Sequence, residues 1–160
     1  MTKGAARKLG PGDAAPDFTL PSDCGEISLQ SFKGRKLVLY FYPKDDTSGC
    51  TKEAIDFNRL KGQFEQAGAA ILGASPDSAA SHVKFKTKHA LGLALASDEA
   101  KTMLEAYGVW VEKSMYGRKY MGVERTTFLI DRNGIIAQVW NKVKVPGHAE
   151  AVLAAAKSLK

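Results

Sequence analysis

The run "KLVLYFYP" at residues 36–43 limits the possible folds more than any other stretch of this chain. Residues 36–42 are strand formers without the alternation of a half-exposed strand, so both faces of that strand must be covered. Pro43 ends the run because it has no N–H to give to a sheet ladder. Beyond a polar turn, apolar residues recur at Cys50, Ala54, Phe57, Leu60, Phe64 and Ala67. That spacing forms one helical stripe, and Gly68 is a natural stop for it. A strand buried on two sides and feeding an amphipathic helix calls for a sheet between two layers.

The remaining elements fit that plan. "DFTLPSDCGEISLQSF" (17–32) reads as a hairpin turning at Pro21–Gly25. "AAILGAS" (69–75) is a second buried strand, and "DSAASHVKFKTKHAL" (77–91) a second helix. "SDEAKTMLEAYGV" (97–109) predicts a short third helix capped by Ser97 or Asp98. "RTTFLIDRNGIIAQVW" (125–140) predicts a hairpin about Asn133-Gly134, and residues 147–159 a closing helix. The order implies an α/β fold of thioredoxin-like type: a mixed central sheet flanked by helices, with an N-terminal hairpin. Residues 1–160 are expected to form one such domain, with residues 1–10 flexible.

Composition narrows the class of protein. No apolar run approaches the length needed to span a bilayer. No apolar stretch follows the basic residues at the start, so no secretory signal is expected there. Two cysteines in that setting point to a reducing, cytoplasmic environment. The net charge of +6 comes from scattered lysines and arginines, a solvated surface rather than a nucleic-acid face. There is no Cys-x-x-Cys, dinucleotide fingerprint or P-loop. His82, His89 and His148 show no metal-ligand spacing with the cysteines, so neither metal nor organic cofactor is expected.

One of the cysteines stands where chemistry is favoured. With Thr47 or Ser48 as N-cap, Cys50 falls in the first helical turn, where unpaired N–H groups and the positive end of the helix dipole favour an anionic sulfur. By position alone, Cys50 is equally well a small buried hydrophobe. The neighbouring residues separate these readings. Pro43-Lys44-Asp45-Asp46-Thr47-Ser48-Gly49-Cys50 has the spacing proline, three residues, threonine, two residues, cysteine. It resembles the peroxidatic motif of peroxiredoxins, thiol peroxidases of thioredoxin-like fold. "FYPKDDTSGCTKEAIDF", "APDFTL", "SDEAKTMLEAYGVW" and "EKSMYGRKYMGVERTTFLIDRNG" are similar to the Q-type, or bacterioferritin-comigratory, branch.

That resemblance implies a set of roles. Cys50 is the nucleophile that peroxide converts to a sulfenic acid. The Thr47 hydroxyl, the Cys50 N–H and the Arg125 guanidinium are donors to the peroxide or the sulfur. Pro43 shields the pocket, and Glu53 orients Arg125. Hydrogen peroxide and organic hydroperoxides are the implied substrates, and thioredoxin or a small thiol such as glutathione the implied reductant. A monomer is expected. Non-enzymatic redox relay and thiol transfer are the rival functions.

The resemblance also exposes a gap. Q-type relatives place a resolving cysteine five residues after the nucleophile, which is Ile55 here, or in the next helix, near Lys86. Cys24 is the other thiol, in the predicted N-terminal turn. The expectation is therefore recycling by an external thiol, with an intramolecular Cys24–Cys50 disulfide as the alternative. Trp110, Tyr116 and Tyr120 flank the loop before Arg125, as packing groups or as pocket walls.

Overall fold

The structure is a computed structural model and describes residues 8–160. The strands are β1 (Thr19–Ser22), β2 (Gly25–Ser28), β3 (Lys36–Phe41), β4 (Ala69–Ser75), β5 (Ala94–Ser97), β6 (Trp110–Met115), β7 (Arg118–Val123), β8 (Thr126–Ile130) and β9 (Ile136–Trp140). The α-helices are α1 (Ser48–Gln66), α2 (Ala79–His89), α3 (Thr102–Ala106) and α4 (His148–Ser158). Among the described residues, seven strands make one mixed sheet in the order β2-β1-β5-β4-β3-β8-β9. The inner strands β3, β4 and β5 are parallel, while β8 joins β3 antiparallel.

β3 shows why its sequence does not alternate. Val38, Tyr40 and Tyr42 enter a core with Phe57 and Phe64 of α1 and Val152 of α4. Leu37, Leu39 and Phe41 enter a second core with Leu104 of α3, Tyr107 and Phe128. The strand is apolar on both sides because both are covered. The predicted α1 stripe is the buried one, from Cys50 through Ala54, Phe57 and Leu60 to Phe64. Ile55, off the stripe, is 44% exposed. Lys36, at the head of β3, is buried and donates to the Ala156 carbonyl near the end of α4 at 2.8 Å. That is the end of a helix at which a cation is favoured.

Three differences from the sequence-based expectation have identifiable causes. The helix predicted over 97–109 shrinks to α3, because Ser97 is drawn into β5 by pairing with Ser75. β5 itself, Ala-Leu-Ala-Ser, lacks the β-branched and aromatic residues that mark strands. The stretch expected to be a loop before Arg125 is a β6–β7 hairpin, turning at Tyr116 and Gly117 with φ of 53° and 77°. Its exposed charged residues conceal the strand period. Of the start expected to be flexible, residues 1–7 lie outside the described residues. Leu9 packs on the second core, and the Gly10 N–H bonds Asp13 Oδ2 at 2.8 Å. Among the described residues, no helix is long and apolar enough to cross a membrane.

Candidate active site

β3 and α1 meet at the carboxyl end of the parallel strands. Thr47 is the N-cap position of α1, and the first intrahelical bond runs from the Thr51 N–H to the Thr47 carbonyl at 2.8 Å. The Cys50 N–H precedes that bond and has no helical carbonyl to meet. Cys50 is free of any disulfide and 1% exposed.

Arg125 comes from the other side, immediately before β8, with its carbonyl held by the Val143 N–H at 2.9 Å. Its guanidinium forks. Nη1 donates to Glu53 Oε1 at 2.6 Å, and Nη2 donates to Cys50 Sγ at 3.3 Å. One rigid plane thus spans the carboxylate and the sulfur, a geometry a lysine ammonium lacks. Burial works against the arginine's charge, but Glu53 and Cys50 outweigh it and hold Arg125 above its ordinary value. Burial pushes the Glu53 carboxyl up to about 7, against the pull of Arg125. Glu53 Oε2 is buried without a hydrogen-bond partner, which accounts for that penalty.

Gly49 belongs to the site and was not singled out in the sequence. A Cβ there would lie 3.2 Å from Arg125 Nη2 and would press the guanidinium back by a few tenths of an ångström, so glycine leaves it room at the helix end. The signal available was a glycine inside a first helical turn, next to the only thiol there.

Thr47 differs from expectation. Its hydroxyl neither caps α1 nor remains free to donate, because its proton goes to the Lys44 carbonyl at 2.9 Å. What it offers a ligand is therefore lone pairs: it is an acceptor where a donor was expected. Pro43 is half-buried beyond the end of β3. Trp110, Tyr116 and Tyr120, read as packing groups or as pocket walls, do not line the groove at Arg125. Tyr116 is exposed at the hairpin tip, and Trp110 packs on the second core beneath the Lys101 ammonium. The groove of about 350 Å³ at Arg125 is lined instead by Val111, Lys113, Glu124, Lys142 and Val143. A larger cavity of about 430 Å³, between residues 14–15 and 130–135, lies at the opposite end of β3 and contains none of these groups.

Cys24 is exposed in the β1–β2 turn, 26 positions from Cys50 in the chain. Its thiol donates to Asp23 Oδ2 at 3.4 Å, and the same oxygen takes the ammonium of Lys86 on α2. The histidines do not gather with the cysteines. His82 stands with Asp45 and Asp77, each with an atom suited to metal ligation within 4.8 Å of the others. Those atoms are taken up in hydrogen bonds.

This geometry coincides with a family match. The model of the AhpC/TSA family covers residues 11–139. The chain belongs to the peroxiredoxins of that family. It is 54% identical over 143 residues to a putative peroxiredoxin bcp of Coxiella burnetii, covering 89% of this chain and 95% of that protein. Peroxiredoxin Bcp of Bacillus subtilis is 46% identical over 149 residues, covering 92% and 95%. The solved bacterioferritin comigratory protein of Xanthomonas campestris, described by its alkyl peroxide reduction activity, superposes with a TM-score of 0.86. It is 44% identical, with 96% of this chain and 98% of that chain covered. This peroxiredoxin is thus a thiol peroxidase of thioredoxin-like fold, in the Bcp or Q branch.

Near the candidate site, His148 carries a pH dependence of its own. It is buried, bonded to Thr127 Oγ1 at 2.8 Å, and set edge-on to Phe57 and Trp140. Burial, then the Arg125 charge, lowers its pKa from 6.5 to about 4. A depressed folded-state value means stability that is full above 6.5 and lost as pH falls through about 4. At 1.36 kcal/mol per unit, about 3 kcal/mol disappears across that window. Urea unfolding at stepped pH should show this loss in the wild type and a shallower one in His148→Gln.

Proposed function

We propose that Cys50 is the peroxidatic residue of this peroxiredoxin and that an external thiol recycles it. The observation that supports this reading best is the Arg125 fork, which joins Cys50 Sγ to a buried carboxylate. In the reaction, the Cys50 thiolate attacks one peroxide oxygen and the O–O bond breaks. The sulfur becomes a sulfenic acid, and the departing oxygen leaves as hydroxide or alkoxide and takes a proton. Charge moves from sulfur to the leaving oxygen. The Arg125 Nη2 and Cys50 N–H donors stand where they serve both ends of that movement. Glu53 fixes the guanidinium plane, and Thr47 accepts a hydrogen bond from the peroxide O–H. Pro43 limits water at the sulfur. The groove beside Arg125 is the route this reading gives to peroxide, whether hydrogen peroxide or an organic hydroperoxide.

Recycling takes two thiols. The first condenses with the sulfenic acid, releasing water and leaving a mixed disulfide, and the second exchanges with it to restore Cys50. Thioredoxin or glutathione fits this part. This reading takes the chain as a single-domain monomer, and a reducing, cytoplasmic setting is in keeping with its two unpaired thiols.

One observation favours a second reading. Asp23 Oδ2 joins the Cys24 thiol to Lys86 on α2, so Cys24 sits at the helix where the family resemblance places a resolving thiol. Intact mass after one equivalent of peroxide decides between the two. External recycling predicts the gain of one oxygen atom, unchanged in Cys24→Ser. Loss of two hydrogens that Cys24→Ser prevents would instead establish the intramolecular disulfide.

A further inference from the structure

The β6–β7 hairpin is a two-stranded sheet of its own, separate from the seven-stranded one. Its base is anchored, with Val123 buried and Trp110 packed on the second core. Its tip is not. Every residue from Ser114 to Met121 is exposed. Two paired strands with no covered face are marginally stable in water, and packing among the described residues does not account for this one.

The tip also has a distinct composition. Of the six large apolar side chains exposed among the described residues, four are here: Met115 at 56%, Tyr116 at 97%, Tyr120 at 44% and Met121 at 50%. Lys113, Arg118 and Lys119 stand among them, and the stretch 113–121 holds no carboxylate. The one acid of the hairpin, Glu112, lies nearer its base.

The register puts these groups on both faces. Lys113 with Tyr120 and Met115 with Arg118 share one face, while Ser114 with Lys119 and Glu112 with Met121 share the other. A protein surface laid against one face would leave the other wet. A medium that the tip enters end-on covers both at once. The headgroup layer of a bilayer is such a medium, since cations meet lipid phosphates there while aromatic and apolar side chains reach the acyl boundary. Tyr116, at the turn, is foremost.

We propose that the tip of the β6–β7 hairpin, from Lys113 to Met121, docks this protein on an anionic bilayer surface. Its three cations supply the attraction, and Met115, Tyr116, Tyr120 and Met121 supply the apolar contact. The net charge of +6 adds a longer-range attraction of the same sign. Val111 and Lys113 also line the groove at Arg125, so docking holds that groove beside the lipid. Docking does not depend on the role proposed for Cys50.

The test sediments the full chain with vesicles of phosphatidylcholine, alone or mixed equally with phosphatidylglycerol. The protein should pellet with the mixed vesicles only. It should leave them at about 1 M salt, where charges are screened within about 3 Å. Arg118→Gln combined with Lys119→Gln should weaken binding about 25-fold, at about fivefold for each cation lost. Tyr116→Asn suits the left-handed backbone at φ of 53° and should weaken binding several-fold through lost apolar contact. Hydrogen peroxide turnover, which the tip does not touch, should be unchanged in both variants. Cys50→Ser should bind vesicles like the wild type.

Binding to neither vesicle, equal binding to both, or variants that bind like the wild type would overturn the docking surface. Retention on polyglutamate without binding to vesicles would give the tip to an acidic protein. Self-association that Tyr116→Asn abolishes, again without vesicle binding, would give it to a second copy of the chain. Either result would overturn the bilayer as its occupant.

Discussion

Replacing Cys50 with serine is expected to reduce peroxide consumption to that of the donor thiol alone, a loss on the order of 10⁴-fold or more. The hydroxyl keeps the size and buried place of the thiol but is not an anion at neutral pH, so the attacking electron pair is gone. The fold should survive, because the 1%-exposed site in α1 tolerates a side chain of nearly equal volume. Turnover with either thioredoxin or glutathione, measured beside the thermal midpoint, separates these effects. Retained turnover would assign the chemistry to Cys24 or to another group.

The second large effect is at Arg125. Arg125→Met should slow the oxidation of Cys50 by about 10²–10³-fold, the usual consequence of losing one aimed donor. Arg125→Lys should recover only a small part, since an ammonium cannot reproduce the two parallel contacts at 2.6 and 3.3 Å. Stability should fall too. Glu53 is 1% exposed with its carboxyl already pushed up to about 7, and without Arg125 it ionises less readily still, so the loss should grow as pH rises above neutrality. The double variant Arg125→Met with Glu53→Gln distinguishes the two consequences. Neutralising the carboxylate should return most of the stability and none of the rate. If it returned both, Arg125 would be a structural counter-ion only.

How far the sequence anticipates this site depends on what each residue needs from the rest of the fold. Cys50, Thr47 and Pro43 are neighbours in the chain, so their spacing alone brings them together at the β3–α1 junction. Arg125 is 75 positions beyond Cys50, and its place came from family resemblance rather than from periodicity. The β3 strand and the α1 stripe are legible because burial on both sides and on one face leaves a strong apolar pattern. β5 is not, because its alanines and leucines fit a helix as well as a strand. Nor does sequence show hydrogen-bond direction. Only the fold reveals that the Thr47 proton is committed to Lys44, or that Asp45 and Asp46 part company to grip α2 from two sides.

The most direct measurement is the second-order rate constant for oxidation of Cys50 by hydrogen peroxide at neutral pH, taken in Cys24→Ser beside free cysteine. With donors from Arg125 and the first turn of α1 aimed at the reacting atoms, Cys50 should be faster by at least about 10³-fold. A rate equal to that of free cysteine would contradict the account, leaving the sulfur beneath Arg125 as part of the core.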